Sequence, residues 1–286
     1  MVKKRFIIFI SVIFIFLSVN DASSIRTAPN DALGFPVKIT LNDGTTGIGF
    51  YLNDDPFTYL VTAKHTLFIK NSSTLKAKKA ELTSYGRDPN DLSPNILQLD
   101  LEDMFTTKNL RSHHTHDVAI GRIGKVEMQN DSEVLKLYKW ARSIAWAKTG
   151  IVRVDKKNST KKFSEVFISN EILVYGYPFS IGLKYIPQLD YNRPLLRKGI
   201  VAGVSPKTSS IIIDVGIYGG NIGGPVIEVN RNDINSNLKL IGLISRTIPY
   251  AQEPLNRQGG SSNIGFSNSG YAVAVPVDII LEVLWE

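Results

Sequence analysis

The chain of 286 residues has no cysteine. No disulfide framework and no lipid-bearing cysteine is available, so packing alone must hold the fold. Long apolar runs are also lacking: the N-terminal one, Phe6 to Leu17, has 12 residues, short of the roughly 20 a membrane-spanning helix needs. Histidine occurs four times, and there is no internal repeat or low-complexity segment. With 43% hydrophobic and 21% charged residues, the composition excludes a disordered chain and a polytopic membrane protein.

What is present begins with Lys3, Lys4 and Arg5 ahead of that run and Ala22-Ser23-Ser24 after it. This order predicts a bacterial-type secretory signal peptide over residues 1–24 and a secreted or periplasmic protein. Its removal leaves 30 basic and 25 acidic residues, net +5 against +7 for the whole chain. The surplus is clustered at Lys76, Lys78 and Lys79 and at Lys156, Lys157, Lys161 and Lys162. Both clusters read as solvated loops, with attraction to an anionic polymer or membrane surface as an alternative. No aromatic residues interleave them, so no nucleic-acid partner is expected.

From Phe35 the pattern has period two. Phe35, Val37, Ile39 and Leu41 share one strand face, Asn42-Asp43-Gly44 turns the chain, and Gly47 to Leu52 returns. After the turn at Asn53-Asp54-Asp55-Pro56 comes Tyr59 to Thr62. Short apolar runs recur at 118–123, 172–177, 211–215, 226–229 and 238–244, an all-β rhythm. The stretch Leu135 to Lys148 reads as partly helical and as a connection between two halves. A terminal helix is predicted from Pro276-Val277-Asp278, with Ile279, Ile280, Val283 and Leu284 as its apolar stripe.

Three segments carry candidate chemistry: Thr62-Ala63-Lys64-His65, His116-Asp117-Val118-Ala119-Ile120 and Gly219-Gly220-Asn221-Ile222-Gly223-Gly224-Pro225. In this order they resemble the histidine, aspartate and nucleophile segments of trypsin-like serine peptidases. Further matches in sequence order are Val174 to Pro178, Lys198 to Gly203, Gly242 to Ser245 and Tyr271 to Pro276, so the resemblance spans roughly residues 34 to 284. It implies two six-stranded antiparallel β-barrels with a short C-terminal helix and a cleft between the barrels. The implied layout is an N-terminal extension at 25–33, a first barrel at 34–150 with His65 and Asp117, and a second barrel at 151–286 with the Gly220-to-Pro225 loop.

The departure is Ile222, which stands where the resemblance implies the nucleophilic serine. In the family the histidine takes the hydroxyl proton while the aspartate fixes its tautomer. Isoleucine has no oxygen, so no acyl-enzyme can form, and its branched side chain would obstruct a scissile carbonyl. The resemblance also implies an oxyanion hole from the N–H groups of Gly220 and Ile222, a hydrogen bond from Ser245 to the aspartate, and a substrate pocket at Gly216, Ser245, Arg246 and Thr247. Gly216 and Thr247 indicate no charged primary pocket. Asn221 replaces the aspartate with which animal members pair a freed N-terminus, so that ion pair cannot form.

The set His113, His114, His116 and Asp117 is weighed as a metal site, but Asp117 is accounted for by its motif and a polar histidine-rich loop is usually solvated. No metal and no cofactor is expected. The implied function is that of an exported peptidase homologue without peptidase activity, holding a peptide or protein ligand in its cleft. The alternatives are a hydrolase using water or an unforeseen nucleophile, and a basic surface binder of anionic polymer or membrane.

Overall fold

The structure of the protein, a computed structural model, describes residues 33–70, 72–88, 90–130, 132–178, 185–229, 238–252 and 265–285. The expected signal peptide and, Leu33 aside, the N-terminal extension lie outside the described residues. Ten strands form the first sheet: β1 (Pro36–Leu41), β2 (Thr46–Asp54), β3 (Phe57–Thr62), β4 (Lys79–Tyr85), β5 (Pro94–Asp100), β6 (Leu110–Ser112), β7 (Ala119–Gln129), β8 (Ser132–Leu137), β9 (Ala141–Ala145) and β10 (Arg153–Asp155). Their order is β6-β7-β3-β2-β1-β4-β5-β9, with β8 paired to β7 and β10 paired to β2.

The second sheet is a closed barrel of six strands in the order β11-β12-β13-β16-β15-β14. These are β11 (Glu171–Gly176), β12 (Leu195–Ser205), β13 (Ser210–Asp214), β14 (Pro225–Val229), β15 (Leu238–Gln252) and β16 (Gly265–Pro276). Short helices are α1 (Lys64–Leu67), α2 (Leu101–Thr106) and α3 (Val277–Glu282). No helix among the described residues is long and apolar enough to cross a membrane.

Alternation explains how the strands serve three cores at once. On β11, Ile172 and Val174 point into the second barrel, while Leu173 and Tyr175 join a core between the two sheets. On β2, Phe50 and Leu52 face that shared core and Tyr51 faces the first-sheet interior. A strand covered on both faces reads as a continuous apolar run, which is the pattern at 172–177. The α3 stripe of Ile279, Ile280, Val283 and Leu284 is buried in the same shared core, so the terminal helix fastens one sheet to the other.

One expectation needs correction. The stretch from Leu135 to Lys148 is not helical: it supplies the end of β8 and all of β9, and Trp140 Nε1 donates to the Arg122 carbonyl at 2.8 Å to anchor the turn between them. Just past the implied first barrel at 34–150, β10 pairs in parallel with Tyr51 to Asn53 of β2.

Candidate active site

Strand pairing brings two of the candidate residues together. Strands β3 and β7 are antiparallel with Thr62 opposite Ala119, so the residues just after β3 and just before β7 must be neighbours. His65, in α1, and Asp117 occupy those places. The His65 N–H donates to Asp117 Oδ1 at 2.9 Å, and His65 Nδ1 lies 2.7 Å from Asp117 Oδ2. Backbone and ring are thus held by one carboxylate.

Ser245 comes from the other barrel. On β15 the register against β16 shifts between Ile244 and Arg246, and this bulge turns Ser245 toward the first sheet. Its hydroxyl donates to Asp117 Oδ2 at 2.9 Å, so it serves the aspartate. Burial pushes the Asp117 carboxyl up, but the hydrogen bonds and charge of His65, together with Ser245, outweigh it and leave its pKa below the ordinary value of 3.8. Asp117 is therefore a carboxylate near neutral pH. An ionised carboxylate only accepts, so His65 Nδ1 is the donor to it, which leaves Nε2 as the ring nitrogen for chemistry. The His65 side chain is 46% exposed, leaving Nε2 open to the cleft.

The loop from Gly219 to Gly224 begins with a 3-10 turn over Gly219–Asn221. Asn221 is buried, and its Oδ1 accepts the Tyr218 N–H at 3.0 Å. The turn is seated by its backbone: Tyr177 N–H donates to the Gly220 carbonyl at 2.9 Å and Gly223 N–H to the Ile244 carbonyl at 2.7 Å. Gly223 has φ +90°, and a β-carbon there would stand 2.1 Å from the Ile48 carbonyl of β2. Only glycine meets both conditions. Among the described residues neither the Gly220 nor the Ile222 N–H donates a hydrogen bond, so two amide donors in this loop are unspent.

Ile222 follows the turn in extended conformation, with φ −69° and ψ 131°. Its half-buried side chain packs against both the core shared by the sheets and the interior of the second barrel. Part of it is therefore withdrawn from the cleft that it was expected to block. What the arrangement offers chemically is an oriented general base, a carboxylate that fixes it and two unspent amide donors, with a hydrocarbon at the loop position between them.

Of the remaining candidates, Gly216 and Arg246 are exposed and Thr247 is half-buried, and β15 pairs Arg246 with Val273 and Thr247 with Ala272. The histidine loop is knit to itself: His113 Nδ1 accepts N–H groups from Thr115 at 3.2 Å and His116 at 2.9 Å, and His113 stacks on His114 at 4.4 Å. Among the described residues no metal-ligand group forms. Sequence reasoning missed Lys64, whose Nζ donates to the His113 carbonyl at 3.1 Å and ties α1 to that loop; it also missed Arg197, whose guanidinium lies over the Tyr218 ring at 4.7 Å. Lys64 lies inside the histidine segment, whereas no motif covers Arg197.

No protein-family model matches the chain, and no curated protein sequence is significantly similar to it. Solved structures are similar in shape. The crystal structure of Deg5 superposes with a TM-score of 0.50 at 15% identity, over 88% of this chain and 88% of that one. Human heparin binding protein superposes with a TM-score of 0.52 at 12% identity, over 90% of this chain and 92% of that one. At such identities the likeness establishes the fold alone, and the fold of this chain is the trypsin-like double barrel.

Proposed function

We propose that this chain is a trypsin-fold peptidase homologue that has lost peptidase activity and binds an extended peptide or protein segment in the cleft between its barrels. One observation carries the reading: His65, Asp117 and Ser245 form an ordered hydrogen-bonded array, while the loop position implied for the nucleophile is Ile222. Removing the nucleophile from a serine triad costs on the order of 10⁶ in turnover. General-base assistance to water by His65 recovers only about 10² to 10⁴, so peptide hydrolysis at a useful rate is not expected. Beyond Ile244, whose N–H and carbonyl bond Gly224 and Gly223, the strand β15 pairs only with β16 among the described residues, and its other edge is offered for main-chain pairing with a ligand. We read residues 1–24 as an export signal, which places this binding outside the cytoplasm.

The polyanion reading has weaker support. Human heparin binding protein binds heparin by its name, but in this chain Lys156 is paired with Asp54 at 2.8 Å and Lys161 with Glu228 at 2.5 Å. Those partners cancel half of the second lysine cluster.

The test is hydrolysis of fluorogenic casein by the purified protein, by Ile222→Ser and by Ile222→Ser combined with His65→Ala. Cleavage by Ile222→Ser alone is the expected result, since every other part of the array is retained. Cleavage by the unmodified protein would overturn the reading.

A further inference from the structure

Arg197 lies on β12 directly opposite Val174 of β11, and residues so paired share a face of the sheet. Val174 belongs to the interior of the second barrel, as does Val201, four positions further along β12. By period two, Arg197 is on that inward face. Its Nη1 is 3.3 Å from where a β-carbon on Gly216 would stand, and its guanidinium is 4.7 Å above the Tyr218 ring. Gly216 and Tyr218 lead directly into the Gly219–Asn221 turn and Ile222, so a cation stands beside the loop that carries the candidate site. The expectation of an uncharged pocket rested on Gly216 and β15, and Arg197 comes from neither.

Arg197 is half-buried, yet it takes part in none of the ion pairs among the described residues. Arg246 on β15, which is exposed, is likewise in none of those ion pairs. Holding a guanidinium partly out of water with no counterion is unfavourable until an anion arrives. The Tyr218 ring fixes the guanidinium plane and leaves its N–H edge for a carboxylate, the partner whose geometry it matches in a bidentate pair.

We infer that the cleft selects a carboxylate-bearing peptide, with Arg197 receiving the carboxylate beside Gly216 and Arg246 adding a second cation on the exposed part of β15. This rests on the peptide-binding reading above and names its ligand class. The carboxylate has two possible sources in a peptide, an acidic side chain or the chain's own C-terminus, and both offer the same two oxygens.

The test uses immobilised protein and degenerate peptide pools, N-acetylated and C-amidated, built from uncharged residues around one fixed central position: Glu, Gln, Lys or Leu. A further pool has Leu at that position and a free C-terminal carboxylate. Retained peptide is quantified by mass spectrometry. The Glu pool is expected to be retained about tenfold over the Gln pool, the scale of one charge-assisted hydrogen-bonded pair. Arg197→Gln abolishes that preference, and Arg197→Lys keeps a smaller one, with thermal melting to check that each variant is folded. Preferential retention of the free-carboxylate pool, lost in Arg197→Gln, assigns the C-terminus as the source instead. Equal retention of all pools overturns the inference while leaving peptide binding in place. Retention of none overturns both.

Discussion

Ser245 and Asp117 join the two barrels directly: the Ser245 hydroxyl donates to Asp117 Oδ2 at 2.9 Å, across 128 positions of sequence. The same oxygen faces His65 Nδ1, so one carboxylate closes the cleft's back wall from both sides. Replacing Ser245 by Ala removes an inter-barrel hydrogen bond to a charged acceptor and keeps His65 in place. The expected cost is about 1.5 to 3 kcal/mol, the range for hydrogen bonds to charged groups. Urea denaturation near neutral pH measures it, and an unchanged midpoint would show that the bond contributes nothing.

The depressed pKa of Asp117 makes a statement about acid stability. A carboxyl whose folded pKa lies below its unfolded value binds protons more weakly in the folded state, so it stabilises the fold above the unfolded pKa. That contribution fades as pH falls from about the ordinary value of 3.8 through the lower folded one. Asp117→Asn should therefore be less stable than the native protein near neutral pH, and the gap should narrow below about pH 4. Melting temperatures of both proteins across this range decide it. A gap that stays constant with pH would assign the loss to packing and not to charge.

Glycine in the loop divides into required and tolerated positions. At Gly223 a β-carbon would meet the Ile48 carbonyl at 2.1 Å, with φ at +90°, and backbone cannot move aside cheaply. Gly223→Ala is expected to cost more than about 1 kcal/mol, beyond the ordinary penalty for alanine at positive φ. At Gly216 the nearest atom is the end of the Arg197 side chain at 3.3 Å, which can give way. Gly216→Ala should leave the denaturation midpoint close to native and instead weaken retention of the Glu peptide pool, by crowding the guanidinium.

The same loop shows what was legible in the sequence. His65 and Asp117 could be placed because their motifs abut strands whose pairing, Thr62 against Ala119, puts the two strand ends together. Ser245 could be placed by its order after the Gly220-to-Pro225 loop. The stretch from Leu135 to Lys148 could not, for a physical reason: β8 is mostly exposed, and β9 turns Ala141 inward while Ile144 faces solvent at 49% exposure. Strands without an apolar face leave no period-two signal. Arg197 was illegible for another reason, since only the pairing of β12 with β11 and the position of Tyr218 put it beside Gly216.

Ile222 links stability to the proposed function. Because its half-buried side chain packs against two cores, replacing it with Ser removes apolar contact from both and places a hydroxyl at their edge. A loss of about 1 to 2 kcal/mol is expected for a half-buried isoleucine. Ile222→Val, which keeps the branched shape, should lose less than about 1 kcal/mol. Equilibrium denaturation of the pair, run beside the casein assay, separates the two roles of this position. If Ile222→Ser matches the native midpoint, the isoleucine is a substitution without structural purpose. If it destabilises as expected and also cleaves casein, the side chain at the proposed nucleophile position also strengthens the packing between the barrels.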